Sequence, residues 1–211
     1  MNGLLLKDLL ILKANWKTYA FLVAFYAAFA FGGNPTFFST MLAVILMICP
    51  MTSFSADELA RWDQYAAALP GGRRAVVRAK YQLLFLILGG AFVLSCAVNL
   101  LVSLFGRGES TFGELALAAL ACAAVGLLLN SVLYPLLFKY GSQKSRIVLA
   151  AVVAAAFGVG ALILAFSGRA PADLLAGVSP FAAAAGAVVL LAAAVLISYR
   201  VSCRIYGKKE F

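Results

Sequence analysis

Hydrophobic residues in this chain fall into six long stretches separated by short polar segments. The stretches cover residues 18–31, 37–54, 76–105, 112–138, 147–166 and 178–201. A membrane-spanning helix needs roughly 20 mostly apolar residues. The pattern therefore predicts an all-α membrane protein with six transmembrane helices. The first stretch is short and needs length from the segment before it. The third and fourth are longer than a hydrocarbon core of roughly 30 Å requires at about 1.5 Å per residue, so they tilt or project beyond it.

The polar segments predict two further elements. Residues 1–17, MNGLLLKDLLILKANWK, lack a signal-peptide cleavage site. Leu5, Leu9, Leu12 and Trp16 share one face at helical spacing, with the lysines off it, which predicts an interfacial helix. The second element lies between spans two and three. Ser55 and Glu58 fit a capping box, with Phe54 and Leu59 as its hydrophobic staple. Asp57 and Glu58 suit the positive end of a helix dipole. Leu59, Trp62, Ala66 and Leu69 then fall on one face, and Leu69-Pro70-Gly71-Gly72 ends the helix. A separate helix of residues 56–69 is expected, where a plain connection would need only a few polar residues. It lies on the membrane surface or it docks into a cytoplasmic partner; both remain open on the pattern alone.

Composition agrees with a bilayer as solvent. The chain is 64% hydrophobic and 12% charged, whereas ordinary domains are about 45–50% apolar and about 25% charged. Residues 1–211 are read as a single transmembrane domain. The charge of +9 raises the question of nucleic acid, and its placement answers it. With the N-terminus inside, 15 of the 17 basic residues fall in cytoplasmic segments and only Arg107 and Arg169 fall outside. Such a bias sets orientation and meets anionic lipid. Both termini are expected in the cytoplasm, and no nucleic-acid partner is needed.

Candidate chemistry is sparse. Cys49, Cys96, Cys122 and Cys203 are far apart and there is no His, so no metal site or disulfide framework is expected. No catalytic triad or carboxylate pair exists, and the chain is not expected to be an enzyme. No phosphate-binding G-x-x-x-x-G-K-[ST] occurs; Lys17-Thr18 and Lys144-Ser145 lack the preceding glycines. Asn99 in span three and Asn130-Ser131 in span four either face a translocation cavity or bond between helices. Glu114, the one carboxylate near a span interior, lies close to the outer end, which counts against a proton relay. Pro135 marks a place for span four to kink. The Ala-, Gly- and Val-rich spans five and six would permit close helix approach.

Glu58, Trp62, Tyr65, Leu69-Pro70, Arg73, Val77 and Lys80-Tyr81 stand in an order and spacing that resembles small six-span permeases of the type-2 ABC transporter class. Tyr134-Pro135-Leu136, Phe138-Lys139-Tyr140-Gly141, Lys144 and Arg146 resemble the end of span four and the following loop in that class. Within that class the chain resembles bacterial exporters of phenol-soluble modulins and other antimicrobial peptides. Gly71-Gly72 departs from it, since relatives carry an apolar and a small polar residue there. The resemblance implies a homodimer in the bacterial inner or plasma membrane, each copy bound to a cytoplasmic ABC ATPase subunit that holds ATP and Mg; this chain would bind no cofactor. The helix 56–69 would be the coupling helix. Its ATPase-facing residues would be Asp57, Glu58, Leu59, Arg61, Trp62, Tyr65, Leu69, Pro70, Arg73 and Arg74. The implied cargo is an amphipathic peptide or another hydrophobic substrate. An ion-driven carrier and a non-transporting scaffold that recruits a cytoplasmic partner remain the rivals.

Overall fold

The computed structural model describes residues 2–31, 36–67, 72–105, 112–167 and 180–208, with side chains left undescribed in parts of these, chiefly from 159 to 185. Every described element is helical: α1 (Asn2–Ala14), α2 (Trp16–Phe31), α3 (Thr36–Leu59), α4 (Trp62–Ala67), α5 (Gly72–Phe105), α6 (Phe112–Ser167) and α7 (Pro180–Lys208). Four of them are long and apolar enough to cross a membrane, over Phe37–Leu59, Arg73–Leu104, Phe112–Ala155 and Gly186–Lys208. The expected span at 18–31 corresponds to α2, whose 16 residues fall short on their own. The expected fourth and fifth spans are joined in α6, which has 56 residues. They meet at a break. Gly141 adopts φ 79° and ψ 179° inside α6, a backbone conformation that L side chains resist. The break falls there, not at Pro135.

α3 is the central helix. Its spanning window is 61% buried, against 28% for α5 and 11% for α7. Phe38, Met41, Leu42, Ile45 and Leu46 of α3 are buried together with Leu133, Tyr134 and Leu137 of α6. Two residues explain how α3 and α6 fit. Gly126 leaves room for α3, since a Cβ there would stand 2.7 Å from Leu46 Cδ1. Pro50, inside α3, has no N–H to offer the carbonyl of Leu46. Asn130 supplies the missing donor from α6, Nδ2 to Leu46 O at 3.0 Å, and also bonds Gly126 O at 2.8 Å.

α5 and α7 run antiparallel, the start of one beside the end of the other. Arg73 donates to Gly207 O at 2.5 Å, and the Tyr81 hydroxyl bonds Ser198 Oγ at 2.6 Å and Ser202 Oγ at 3.1 Å. At this same end an aromatic cluster ties four helices. Phe54 packs edge-on to Tyr134 and Phe138, Tyr81 meets Tyr134 and Tyr199, and Phe138 meets Tyr206.

Two expectations for the polar segments change. Leu5, Leu9 and Leu12 of α1 pack toward the core as one face, but Trp16 is 60% exposed. The turn at Asn15 interrupts the helix and takes Trp16 out of register. The helix expected over 56–69 does not start at Ser55. α3 continues unbroken to Leu59, and Ser55 Oγ caps nothing, having no hydrogen-bond partner. The physical reason is that burial of Phe54 and Asp57 favours continued α3 over a new N-terminus. A turn at Ala60 and Arg61 follows, then the six residues of α4. Leu69, Pro70 and Gly71 lie outside the described residues.

Candidate functional site: the charged base and exposed tip of the α3–α4 corner

The end of α3 enters a polar cluster that would be costly without full pairing. Lys80 of α5 is 2% exposed, Asp8 of α1 is 1% exposed and Asp57 of α3 is 7% exposed. Lys80 Nζ lies 2.9 Å from Asp8 Oδ1 and 2.6 Å from Asp57 Oδ2, and donates to Ser53 Oγ at 2.6 Å. All three ammonium donors are thereby used. The Ser53 hydroxyl in turn donates a hydrogen bond to Asp8 Oδ1 at 2.9 Å. Lys7 completes the set, bonding Asp57 and lying 3.3 Å from Asp8. Two lysines and two aspartates make the cluster formally neutral. Its surroundings hold the charge as well: Lys80 sits 4.9 Å over the Phe54 ring, and its carbonyl accepts from the Tyr134 hydroxyl at 3.2 Å. Removing one partner of such a buried set costs about 3–5 kcal/mol, because a charge is left behind without compensation.

Glu58, the next residue, turns the other way. Its carboxylate accepts from the backbone N–H of Ser142 and from Ser142 Oγ, the latter at 2.6 Å. Ser142 is the first residue after the break at Gly141. Glu58 therefore caps the N-terminus of the second limb of α6, where free N–H groups and the helix dipole favour a carboxylate. Gly141 is required twice, by its positive φ and because an added Cβ would collide with Glu58 Oε1.

Beyond this base the chain projects outward. Leu59 is 87% exposed and Tyr65 is 67% exposed. Arg61 is exposed and has φ 47°, unusual for a residue with a side chain. Its N–H donates to Glu58 O at 3.1 Å, closing α3 with the left-handed turn that glycine more often provides. Trp62 points back: it is half-buried, with Lys7 Nζ 4.6 Å over its ring. α4 is thus tethered to the same lysine that pairs Asp57.

The ten residues assigned to an ATPase interface divide by orientation. Leu59, Arg61, Tyr65 and Arg74 are exposed, and so is Glu58 despite its bonds to Ser142. Asp57 and Glu58 are engaged in the base, Trp62 faces Lys7, and Arg73 is bonded to the end of α7. Leu69 and Pro70 are undescribed. The two segments that carried the family resemblance meet here, through Lys80 with Tyr134 and through Glu58 with Ser142, beside Gly141. Sequence inspection missed Lys7, Asp8 and Ser53. The available signal was Asp8 in a leucine-rich helix and Lys80 within an apolar stretch, since such charges require partners.

Two of the three polar span residues, Asn99 and Asn130, sit buried between helices. Asn99 Nδ2 reaches Leu115 O at 3.3 Å and Ser39 Oγ at 3.4 Å; Asn130 bridges α6 to α3 as described. Ser131 Oγ bonds Leu128 O on its own helix at 2.7 Å. Among the described residues there is no group of His, Cys, Asp and Glu that could hold a metal.

Comparison with known proteins supplies the family. No curated protein and no solved structure matches significantly. A family profile described as ABC-2 family transporter protein matches residues 3–207, nearly the whole chain. The helical fold, the long apolar helices and this match agree: the chain belongs to the ABC-2 family of transporter proteins, as a membrane transport component.

Proposed function

We propose that this chain is the permease subunit of an ATP-driven exporter, with six spans, both termini in the cytoplasm and a bacterial inner or plasma membrane as its site. Two copies form a homodimer, each seated on a cytoplasmic ABC ATPase that carries ATP and Mg. The tip formed by Leu59, Arg61 and Tyr65 is the docking element. The observation that carries the proposal is the contrast at the α3–α4 corner. An exposed Leu and Tyr stand on a base tied to α1 and α5 by buried ion pairs and to α6 by the Glu58 cap. A push on the tip would reach four helices, because the base bonds α3 to α1, α5 and α6. Closure of two ATPases against two such tips would reorient the spans.

The cargo proposed is an amphipathic peptide, such as an antimicrobial peptide, or another hydrophobic molecule taken from the cytoplasm or inner leaflet. Asn99, Asn130 and Ser131 are proposed to border its path. The present interhelical bonds of Asn99 and Asn130 would then exchange as the helices separate.

Affinity purification of the solubilised chain from its native host tests the proposal. An ATPase should copurify in equimolar amount and be lost from Leu59→Ala/Tyr65→Ala, whose exposed side chains contribute little to folding. A stable wild-type preparation with no nucleotide-binding partner would overturn it. The buried carboxylates Asp8 and Asp57 give the ion-driven carrier one supporting observation. That rival requires transport without nucleotide, and each of these carboxylates is already neutralised by a lysine. A scaffold would bind the ATPase and move no substrate.

A further inference from the structure

A groove of about 410 Å³ separates α5 from α7 and is lined by Arg78, Tyr81, Gln82, Phe85, Val195, Leu196 and Tyr199. Its lining is graded along the helices. Arg78, Gln82 and Phe85 form one stripe of α5, advancing from a cation to an amide to an aromatic ring over roughly 10 Å. Exposed Arg74 lies one turn before Arg78 and extends the cationic end. On α7 the antiparallel course repeats the gradient. Tyr199 stands toward the basic end, and Val195 and Leu196 lie beyond it. Exposed Val189 and open space at Gly89 continue the apolar stripes away from that end.

We propose that this groove binds one anionic phospholipid of the inner leaflet. Arg78, with Arg74 above it, takes the phosphate. Gln82 and Tyr199 take the glycerol ester region, and Phe85, Val195 and Leu196 take the first part of an acyl chain. Charge complementarity and the polar-to-apolar order together select this occupant. A peptide helix would not need the cations confined to one end, and a free anion would not need the apolar floor. Basic pockets between membrane helices on the cytoplasmic side suit such headgroups. The proposal rests on the orientation adopted above, which puts the start of α5 inside.

Native mass spectrometry of the full-length purified chain, with equal phosphatidylglycerol and phosphatidylcholine, tests it. Wild type should retain phosphatidylglycerol in preference. Arg78→Ala should weaken that retention by about tenfold or more, the scale of one lost charge-assisted bond. Arg146→Ala, which removes an exposed cation outside the groove, should leave it unchanged. Leu196→Trp should reduce retention of both lipids by blocking the apolar floor. Equal retention of the two lipids, equal loss from Arg78→Ala and Arg146→Ala, or full displacement by inorganic phosphate would overturn the proposal. So would spontaneous disulfide linkage of two copies through Leu196→Cys, which would make a second copy the occupant. No ATPase enters this measurement, so its failure leaves the transport proposal standing, and an absent ATPase leaves the lipid site standing.

Discussion

At the scale of single residues, Gly141 and Glu58 show how one position can be tied to another far away in sequence. A side chain at Gly141 meets both an unfavourable φ and the Glu58 carboxylate. Gly141→Ala should therefore destabilise the protein by about 1–3 kcal/mol, read as a lower unfolding temperature in detergent. Adding Glu58→Ala should recover less than the whole loss, since it removes the collision and leaves the strained φ. A Gly141→Ala variant as stable as wild type would show that the break lies elsewhere. Residue identity made part of this legible. Glu58 and Gly141 both belonged to segments singled out in the sequence, yet no spacing rule links positions separated by α4, α5 and the first limb of α6. The cluster of Lys7, Asp8, Asp57 and Lys80 was hidden for the same reason: each charge resembled an ordinary cytoplasmic or capping residue until its partner was in place.

At the scale of helices, hydrophobic runs located the long elements well and their ends poorly. The stretches at 37–54 and 76–105 each extend as helix beyond the apolar run, to Leu59 and back to Gly72. Hydrophobicity marks what lipid or core can accept, whereas a helix ends where its backbone bonds end. The capping-box pattern at Ser55 and Glu58 misled because the two side chains have other fates: one is unpaired and the other caps α6. The lock between α3 and α6 gives a test at this scale. Asn130 serves the Leu46 carbonyl that Pro50 leaves without a donor. Asn130→Ala should cost about 1–2 kcal/mol through the orphaned carbonyl and the lost interhelical bond. In a Pro50→Ala background, where residue 50 regains its N–H, the same substitution should cost clearly less. Thermal unfolding of the four proteins in one double-mutant cycle measures the coupling. Strict additivity would mean that Asn130 contributes only its contact with Gly126.

At the scale of the whole molecule, polarity is organised by depth. The described ion pairs gather where α1, α3 and α5 meet, the aromatic cluster lies against them, and the exposed α3–α4 tip stands beyond both. A buried ionic set adds little net stability over a well-packed apolar one. It fixes α1, α3 and α5 in one arrangement, so that under the proposed docking role a force at Leu59 and Tyr65 would move helices instead of bending a loop. The basic residues from which an orientation is expected include Lys7 and Lys80, which the fold withdraws into that set. The chain belongs to the ABC-2 transporter family, and its α3–α4 corner is exposed at Leu59 and Tyr65. The most direct test is photo-crosslinking from that corner in native membranes. A photoreactive residue placed at Leu59 or Tyr65 should capture an ATPase subunit, and one at Leu104, exposed at the far end of α5, should not. Capture of lipid alone from Leu59 and Tyr65, in membranes where the ATPase is present, would contradict the docking role of the α3–α4 corner.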